Sequence, residues 1–429
     1  MVIVIMSKYS ELSKEALQKE YERVKATYAD FLKKGLSLDM SRGKPGANQL
    51  DLSADTFNII EKDSGYYSRD GIDCRNYGGV DGLPEIKELF AQIFSAPAKN
   101  VIASGSASLN LMFDIISQAM THGLGGRPWA EQGKVKFLCP VPGYDRHFSI
   151  CEYFGIEMIN VPMNAKGPDM DIVEDLIKDE SVKGMWCVPK YSNPTGIVYS
   201  DKTVKRLAAM KPKAKDFRIM WDNAYAVHPI FGEVDGLLNI LGECEKAGDP
   251  DKVIMFTSTS KITFPGAGVA ALCASDNNIT AIKRRMSVQT IGPDKINQLR
   301  HAKLLPDLNA VNEHMKRHAA IMRPKFEAVL AEFESQLGEL GIADWSKPNG
   351  GYFICMLVQK GCAKRIVGLC KEAGLVLTPA GATHPYGIDP DDNTIRIAPS
   401  FPTAAELQLA TELLCTVTKL VSLERLINN

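Results

Sequence analysis

The sequence predicts an α/β chain: a mostly parallel sheet sandwiched by helices, followed by a smaller α+β unit. Three observations carry this. From about residue 52 to 300, short β-like runs alternate with helical ones, the pattern that buries a parallel sheet beneath helices on both faces. Beyond residue 295 the alternation gives way to one long helical stretch, 309–337, and then to a few strands and helices. At 429 residues the chain is too long for a single typical core, so two domains are expected.

Taken in order, the first element is a helix over 13–34. Leu17, Tyr21, Val24, Tyr28 and Phe31 recur at three- to four-residue steps, Ser13 can cap it and Gly35 can end it. The β-like runs are 101–103, 135–139, 158–161, 185–188, 219–221, 253–256 and 269–273. Gly350-Gly351-Tyr352-Phe353-Ile354-Cys355, Val376-Leu377 and Ile395-Arg396-Ile397-Ala398 supply strands of the second unit, and a terminal helix starts at Thr403. The expected division is 1–51 for an N-terminal arm, a helix and part of the small domain, 52–300 for the large domain, and 301–429 for the small C-terminal domain. With no repeat, low-complexity tract or flexible linker in between, a long helix is expected to join the two.

Composition excludes several classes. Hydrophobic residues at 45% and charged residues at 24% suit a globular enzyme. Lys plus Arg (50) nearly cancels Asp plus Glu (51), leaving a net charge of -1, so no broad field favours nucleic acid or an anionic membrane. Ten cysteines without a C-x-x-C pair read as buried thiols in a reducing, cytoplasmic setting. The apolar segment 1–6 is short and lacks a basic n-region. Neither a signal peptide nor a membrane span is expected, and translation from Met6 would suit the pattern equally.

In sheets of this kind ligands sit beyond the carboxyl ends of the strands, and the chemical motifs follow the β-like runs. Asn193-Pro194-Thr195-Gly196 precedes Asp222 by 29 residues, Tyr225 follows Asp222 by three, and Lys261, in Thr257-Ser258-Thr259-Ser260-Lys261, follows Asp222 by 39. An amide, a carboxylate with a nearby phenol, and a lysine in a hydroxyl-rich turn are the groups that hold and tune pyridoxal phosphate (PLP). Asp222 would keep the ring nitrogen protonated, although standing alone it would more often be a cap or turn aspartate. Tyr225 and Asn193 would donate to the ring's phenolate oxygen. Lys261 would form the Schiff base and, once released by substrate, shuttle the proton at the α-carbon.

Ser104, Gly105 and Ser106, in Ser104-Gly105-Ser106-Ala107-Ser108, stand before an amphipathic helix and would cradle the phosphate. A capped helix with no ligand would look the same. Ser258 is a further phosphate candidate. Tyr144, in Pro140-Val141-Pro142-Gly143-Tyr144, would stack on the pyridine ring or stand at a rim with no ligand. Arg396 would clamp the substrate α-carboxylate with its planar fork, or lie exposed on its strand. Gly123-Leu124-Gly125-Gly126 follows a helix rather than a first strand and makes no dinucleotide fingerprint. His314 and His318 share a helix face without a carboxylate or third ligand and read as a solvated pair, not a metal site.

In order and spacing these residues resemble fold-type I PLP-dependent aminotransferases, over about residues 40–401. Ser41-Arg42-Gly43-Lys44-Pro45-Gly46, Tyr77-Gly78-Gly79-Val80-Asp81-Gly82 and Ser260-Lys261-Ile262-Thr263-Phe264-Pro265-Gly266 resemble the divergent aspartate aminotransferase subgroup Ic. The resemblance implies a homodimer with active sites at the subunit interface, Tyr77 reaching the phosphate of the other subunit's cofactor, and Gly43 lining the substrate side. It also implies a ping-pong exchange between an amino acid and a 2-oxo acid through pyridoxamine phosphate, with aspartate and 2-oxoglutarate first in line. The family commonly places an arginine soon after the lysine turn, but Pro265-Gly266-Ala267-Gly268-Val269 has none. Lys283, Arg284 or Arg285, or dipoles and hydroxyls alone, would have to serve the phosphate.

The distal carboxylate of aspartate needs a second cation, for which Arg42 and Arg146 are the candidates; without either, a neutral donor is favoured. Alanine or aromatic transamination and a PLP-dependent lyase stand as alternatives on the same fold. A PLP-sensing transcription regulator lacks room for a DNA-binding module before the motifs. A nicotinamide oxidoreductase lacks the glycine fingerprint.

Overall fold

The computed structural model describes residues 8–61 and 65–428, so segment 1–6 and the expectations attached to it lie outside the described residues. In chain order the strands are β1 (Leu38–Asp39), β2 (Val101–Ala103), β3 (Lys136–Val141), β4 (Glu157–Asn164), β5 (Gly167–Pro168), β6 (Val182–Cys187), β7 (Arg218–Asp222), β8 (Val253–Ser258), β9 (Ala270–Ala274), β10 (Ala343–Trp345), β11 (Ile354–Val358), β12 (Leu375–Val376) and β13 (Thr394–Ile397). Eight form one sheet in the order β2-β9-β8-β7-β6-β3-β4-β5. The pairs from β8 through β4 are parallel, whereas β9 runs antiparallel to both β8 and β2. That double reversal points β2 the same way as β8. The carboxyl ends of β2, β8, β7, β6 and β3 therefore share one edge.

The central strands β6, β7 and β8 are buried along their whole length, as their continuous apolar runs require when helices cover both faces. Two separate apolar clusters flank the sheet, one containing Met185, Trp221 and Met255, the other Trp186, Met220 and Ile254. Consecutive strand residues thus face opposite sides, as the pleat dictates.

A third cluster gathers Leu17, Val24, Tyr28 and Phe31 of the helix Lys14–Lys33 with residues of the C-terminal helix Ala404–Asn428 and of β11 and β13. Ser13 caps the first of these helices through Ala16 N, and Gly35 follows it at φ +60°, a conformation glycine adopts without strain. The Tyr28 hydroxyl also donates to Leu369 O at 2.9 Å. Each such fully buried large apolar side chain contributes about 1.5–3 kcal/mol. β10, β11 and β13 make an antiparallel sheet beside this helix pair, and β1 pairs with β12. The 30-residue helix Leu308–Leu337 places Val311 and Met315 in a cluster of the large sheet, and Met322, Phe326, Val329 and Phe333 in the third cluster. One helix is thus built into two cores.

The histidine pair of this helix is not solvated. His314 and His318 are buried, 3.1 Å apart at their Nε2 atoms, with His314 Nε2 2.8 Å from Ile262 O and His318 Nδ1 3.2 Å from the Gln49 amide. Burial pushes both imidazoles below their ordinary pKa, His318 to about 4. The sequence reading missed this because the polar partners come from residues 49 and 262, far away in the chain. All ten cysteines are free and buried, and Gly123 ends the helix Ser108–His122. Among the described residues no helix is long and apolar enough to cross a membrane, and no cluster of His, Cys, Asp and Glu suits a metal ion.

Candidate active site

A cavity of about 250 Å³ opens at the shared strand edge, lined by Ala107, Ser108, Tyr144, Asn193, Asp222, Tyr225, Ser258, Ser260 and Lys261 among others. Each enters from a different connection. Asp222 ends β7, Lys261 lies three residues past β8, Asn193 six past β6 and Tyr144 three past β3. Parallel packing alone brings these residues, up to 117 positions apart in sequence, to one hollow.

Asp222 and Lys261 set its electrostatics. Asp222 Oδ2 stands 3.0 Å from His147 Nε2, with both side chains almost fully enclosed, and Oδ1 has no partner among the described residues. The His147 ring stacks on Trp186 at 4.3 Å and 8°. The Lys261 ammonium lies 5.4 Å from the Tyr225 ring centre and 5.7 Å from that of Tyr352. Burial pushes its pKa down, the Arg396 charge adds to this, and Asp222 opposes it. The Tyr225 and Tyr144 phenols are pushed up, by burial first, then for Tyr225 by the neighbouring Tyr144 and Asp222 and for Tyr144 by the Asp222 charge.

Arg396 on β13 is only 6% exposed and lies over the Phe353 ring, 5.0 Å from its centre, outside the cavity lining but hydrogen-bonded to it through Asn193. Its Nε donates to Thr378 Oγ1 at 3.1 Å, and its Nη1 to Asp145 Oδ1 at 2.9 Å and Asn193 Oδ1 at 3.3 Å. It is not the exposed strand arginine that its sequence also allowed. A side chain at Gly43 would strike the same Phe353, its Cβ standing 2.7 Å from Cζ.

Other expected residues lie elsewhere. Ser104 and Gly105 line a neighbouring hollow with Asn110 and Arg285, because Ser104 N and Gly105 O extend the ladder onto Ala270 of β9. Ser106 touches the site only through its carbonyl, which accepts from Ser260 Oγ at 3.3 Å. The helix begins at Ser108 without a side-chain cap, and the Asn110 N–H donates to Ala107 O at 3.1 Å, which leaves the Ser108 and Leu109 N–H groups, among the described residues, for an anion beside the Ser108, Ser258 and Ser260 hydroxyls. Lys283 is paired with Asp81 at 2.9 Å and Arg285 with Asp114 at 3.3 Å, while Arg284 belongs to a surface hollow with Val288. Among the described residues, Lys261 is the one cation lining the cavity. Arg42 and Arg146 are outside that lining, and Tyr77 is 80% exposed.

Sequence reasoning missed His147 and Asp145. Both sit in the first turn of the helix Asp145–Tyr153, directly after the Tyr144 motif, and that adjacency was the available signal. Ser108 belongs to the segment 104–108 expected at the phosphate without being singled out there, and Ser260 stands in the lysine turn.

The family model for aspartate amino-transferase matches residues 12–429. The chain belongs to the aspartate aminotransferase family. It is similar to an aspartate aminotransferase of Corynebacterium glutamicum, 45% identical over 95% of each chain. A crystal structure of an aspartate transaminase from the same species is 44% identical and superposes with a TM-score of 0.94, covering 97% of this chain and 98% of that one. An α-aminoadipate aminotransferase from Thermus thermophilus, complexed with N-(5'-phosphopyridoxyl)-L-leucine, shares the fold at 21% identity, with a TM-score of 0.74 over 97% of this chain and all of that one. The chain is thus an aminotransferase on the fold-type I scaffold.

Proposed function

We propose that this aminotransferase uses PLP to exchange the amino group of aspartate with 2-oxoglutarate, giving oxaloacetate and glutamate. The observation that carries the reading is the meeting of Lys261, Asp222, Tyr225 and Asn193 in one cavity, with an enclosed Asp222 oxygen left unpartnered. Such an atom costs about 1–3 kcal/mol or more unless a donor arrives, and a protonated pyridine nitrogen is such a donor. The residues fit the group. Bound there, PLP supplies an aldehyde for the amino group and a ring that takes up the electron pair released at the substrate α-carbon.

This chain's residues do the rest. Lys261 anchors the cofactor and, with its proton affinity lowered by burial, takes up and returns the proton at the α-carbon. Asp222, oriented by His147, keeps the ring nitrogen cationic. Asn193 and Tyr225 donate to the ring oxygen, and Tyr144 covers the ring face. Ser108, Ser258 and Ser260, with the free N–H groups of the helix start, take the phosphate. Arg396 receives the α-carboxylate, and Gly43 leaves room for Phe353 beneath it. Tyr77, prominent on the surface, reaches the cofactor phosphate of a second copy in a homodimer.

Aspartate and 2-oxoglutarate as substrates rest on the 45% identity to the Corynebacterium glutamicum enzyme. A second reading, a neutral amino donor, is favoured because, unlike Arg396, which hydrogen-bonds the lining residue Asn193, neither the Arg42 nor the Arg146 side chain lines the cavity or hydrogen-bonds a residue that does, among the described residues. The aspartate reading therefore needs a distal cation from the second copy or from movement of the Arg42 segment. A panel of aspartate, alanine and aromatic donors with 2-oxoglutarate decides between them. Oxaloacetate from aspartate as the fastest product supports the first reading. Pyruvate or aromatic oxo acids without oxaloacetate reject it.

A further inference from the structure

Arg396 carries five N–H donors, and their use in this structure is uneven. Nε is engaged by Thr378, Nη1 by both Asp145 and Asn193, and Nη2 makes no hydrogen bond among the described residues. A carboxylate held bidentately needs two parallel N–H groups, either Nε with Nη2 or Nη1 with Nη2. Each combination includes a nitrogen already engaged. The strongest competitor is Asp145, whose Oδ1 lies 2.9 Å from Nη1 and whose side chain is 33% exposed against 6% for Arg396. It is itself a carboxylate, is partly open to solvent, and offsets the guanidinium charge.

We propose that Asp145 is a built-in competitor for the substrate α-carboxylate, occupying Arg396 until a ligand with enough further contacts displaces it. The inference rests on the reading of Arg396 as the carboxylate seat. Its consequence is selectivity. A small carboxylate that offers nothing but its charge displaces Asp145 poorly, whereas an amino acid that also engages the cofactor displaces it readily. The resting seat thus stays closed to abundant simple anions at some cost in substrate affinity.

Acetate is the probe. In the PLP-loaded enzyme, Asp145→Asn should lower the competitive inhibition constant of acetate about tenfold, the equivalent of 1.4 kcal/mol, and should lower KM for the amino donor in the same direction without raising kcat. Acetate should also raise the thermal midpoint of the loaded Asp145→Asn enzyme at concentrations that leave the parent unchanged. Asp145→Ala should behave alike, which guards against a misfolded first variant. An Arg396→Lys enzyme should bind acetate poorly, and adding Asp145→Asn to it should change nothing. Weaker acetate binding and a higher KM in both Asp145 variants would make Asp145 a prop that positions Arg396, and would overturn the proposal, as would no change. If Arg396→Lys alone leaves KM and acetate inhibition untouched, the seat itself has been misassigned, and the proposal falls with it for a separately identifiable reason.

Discussion

Replacing His147 tests how the acid of the cavity is held. Asp222 Oδ2 has one partner, His147 Nε2 at 3.0 Å, while Oδ1 has none among the described residues, and both side chains are nearly sealed from water. His147→Ala therefore strands a buried carboxylate. A hydrogen bond to a charged group is worth about 1.5–3 kcal/mol, and the ring stack on Trp186, 4.3 Å between centroids, adds about 0.5–1.5 kcal/mol. The cofactor-free variant should lose about 2–4 kcal/mol in urea unfolding. PLP affinity, followed by absorbance titration, should fall about 10- to 100-fold, equivalent to about 1.4–2.8 kcal/mol, because Asp222 is no longer aimed at the ring nitrogen. Trp186→Leu is the control: it removes the stack and leaves the hydrogen bond, so affinity should fall by less than about threefold, under 1 kcal/mol. Unaltered PLP affinity in His147→Ala, or equal losses in the two variants, would refute the reasoning.

Two further outcomes are expected. Gly43→Ala places a Cβ 2.7 Å from Phe353 Cζ, under the ring that supports Arg396; overpacking of this kind costs about 1–3 kcal/mol. KM for the amino donor should therefore rise about tenfold while PLP binding by titration stays unchanged. The buried histidines predict an early acid limb in stability. Burial pushes His228 down to about 3 and His318 to about 4, whereas in the unfolded chain they titrate near 6.5. Their contribution is complete above about pH 6.5 and is lost as pH falls toward the folded-state values, because the unfolded chain then binds more protons. Each should contribute a slope of about 1.4 kcal/mol per pH unit between about pH 6 and 5, and His318→Gln should lower the slope of ΔG against pH by one such step in urea titrations. An unchanged slope contradicts the assignment.

The site was legible where chemistry sits at strand ends. Asn193, Asp222, Tyr225 and Lys261 each follow an apolar run, and a parallel sheet converts that sequence position directly into spatial convergence. The N-terminal helix was legible for a similar reason: its apolar spacing and the Ser13 cap are local. What the sequence hid depends on long-range pairing. The antiparallel course of β9 is not visible in an apolar run of five residues, yet it holds Ser104 and Gly105 on the sheet ladder, and the helix begins only at Ser108. His147 and Asp145 look like ordinary helix residues until β7 and β13 bring Asp222 and Arg396 against them. The pair His314 and His318 looked solvated because its partners, Gln49 and the Ile262 carbonyl, come from distant segments.

The most direct test of the account is borohydride reduction of the PLP-loaded protein, followed by proteolysis and peptide mapping. The account predicts a single labelled peptide carrying the pyridoxyl group on Lys261, and no label in Lys261→Ala. A label on another lysine, or purified protein that stays colourless with added PLP, would contradict it.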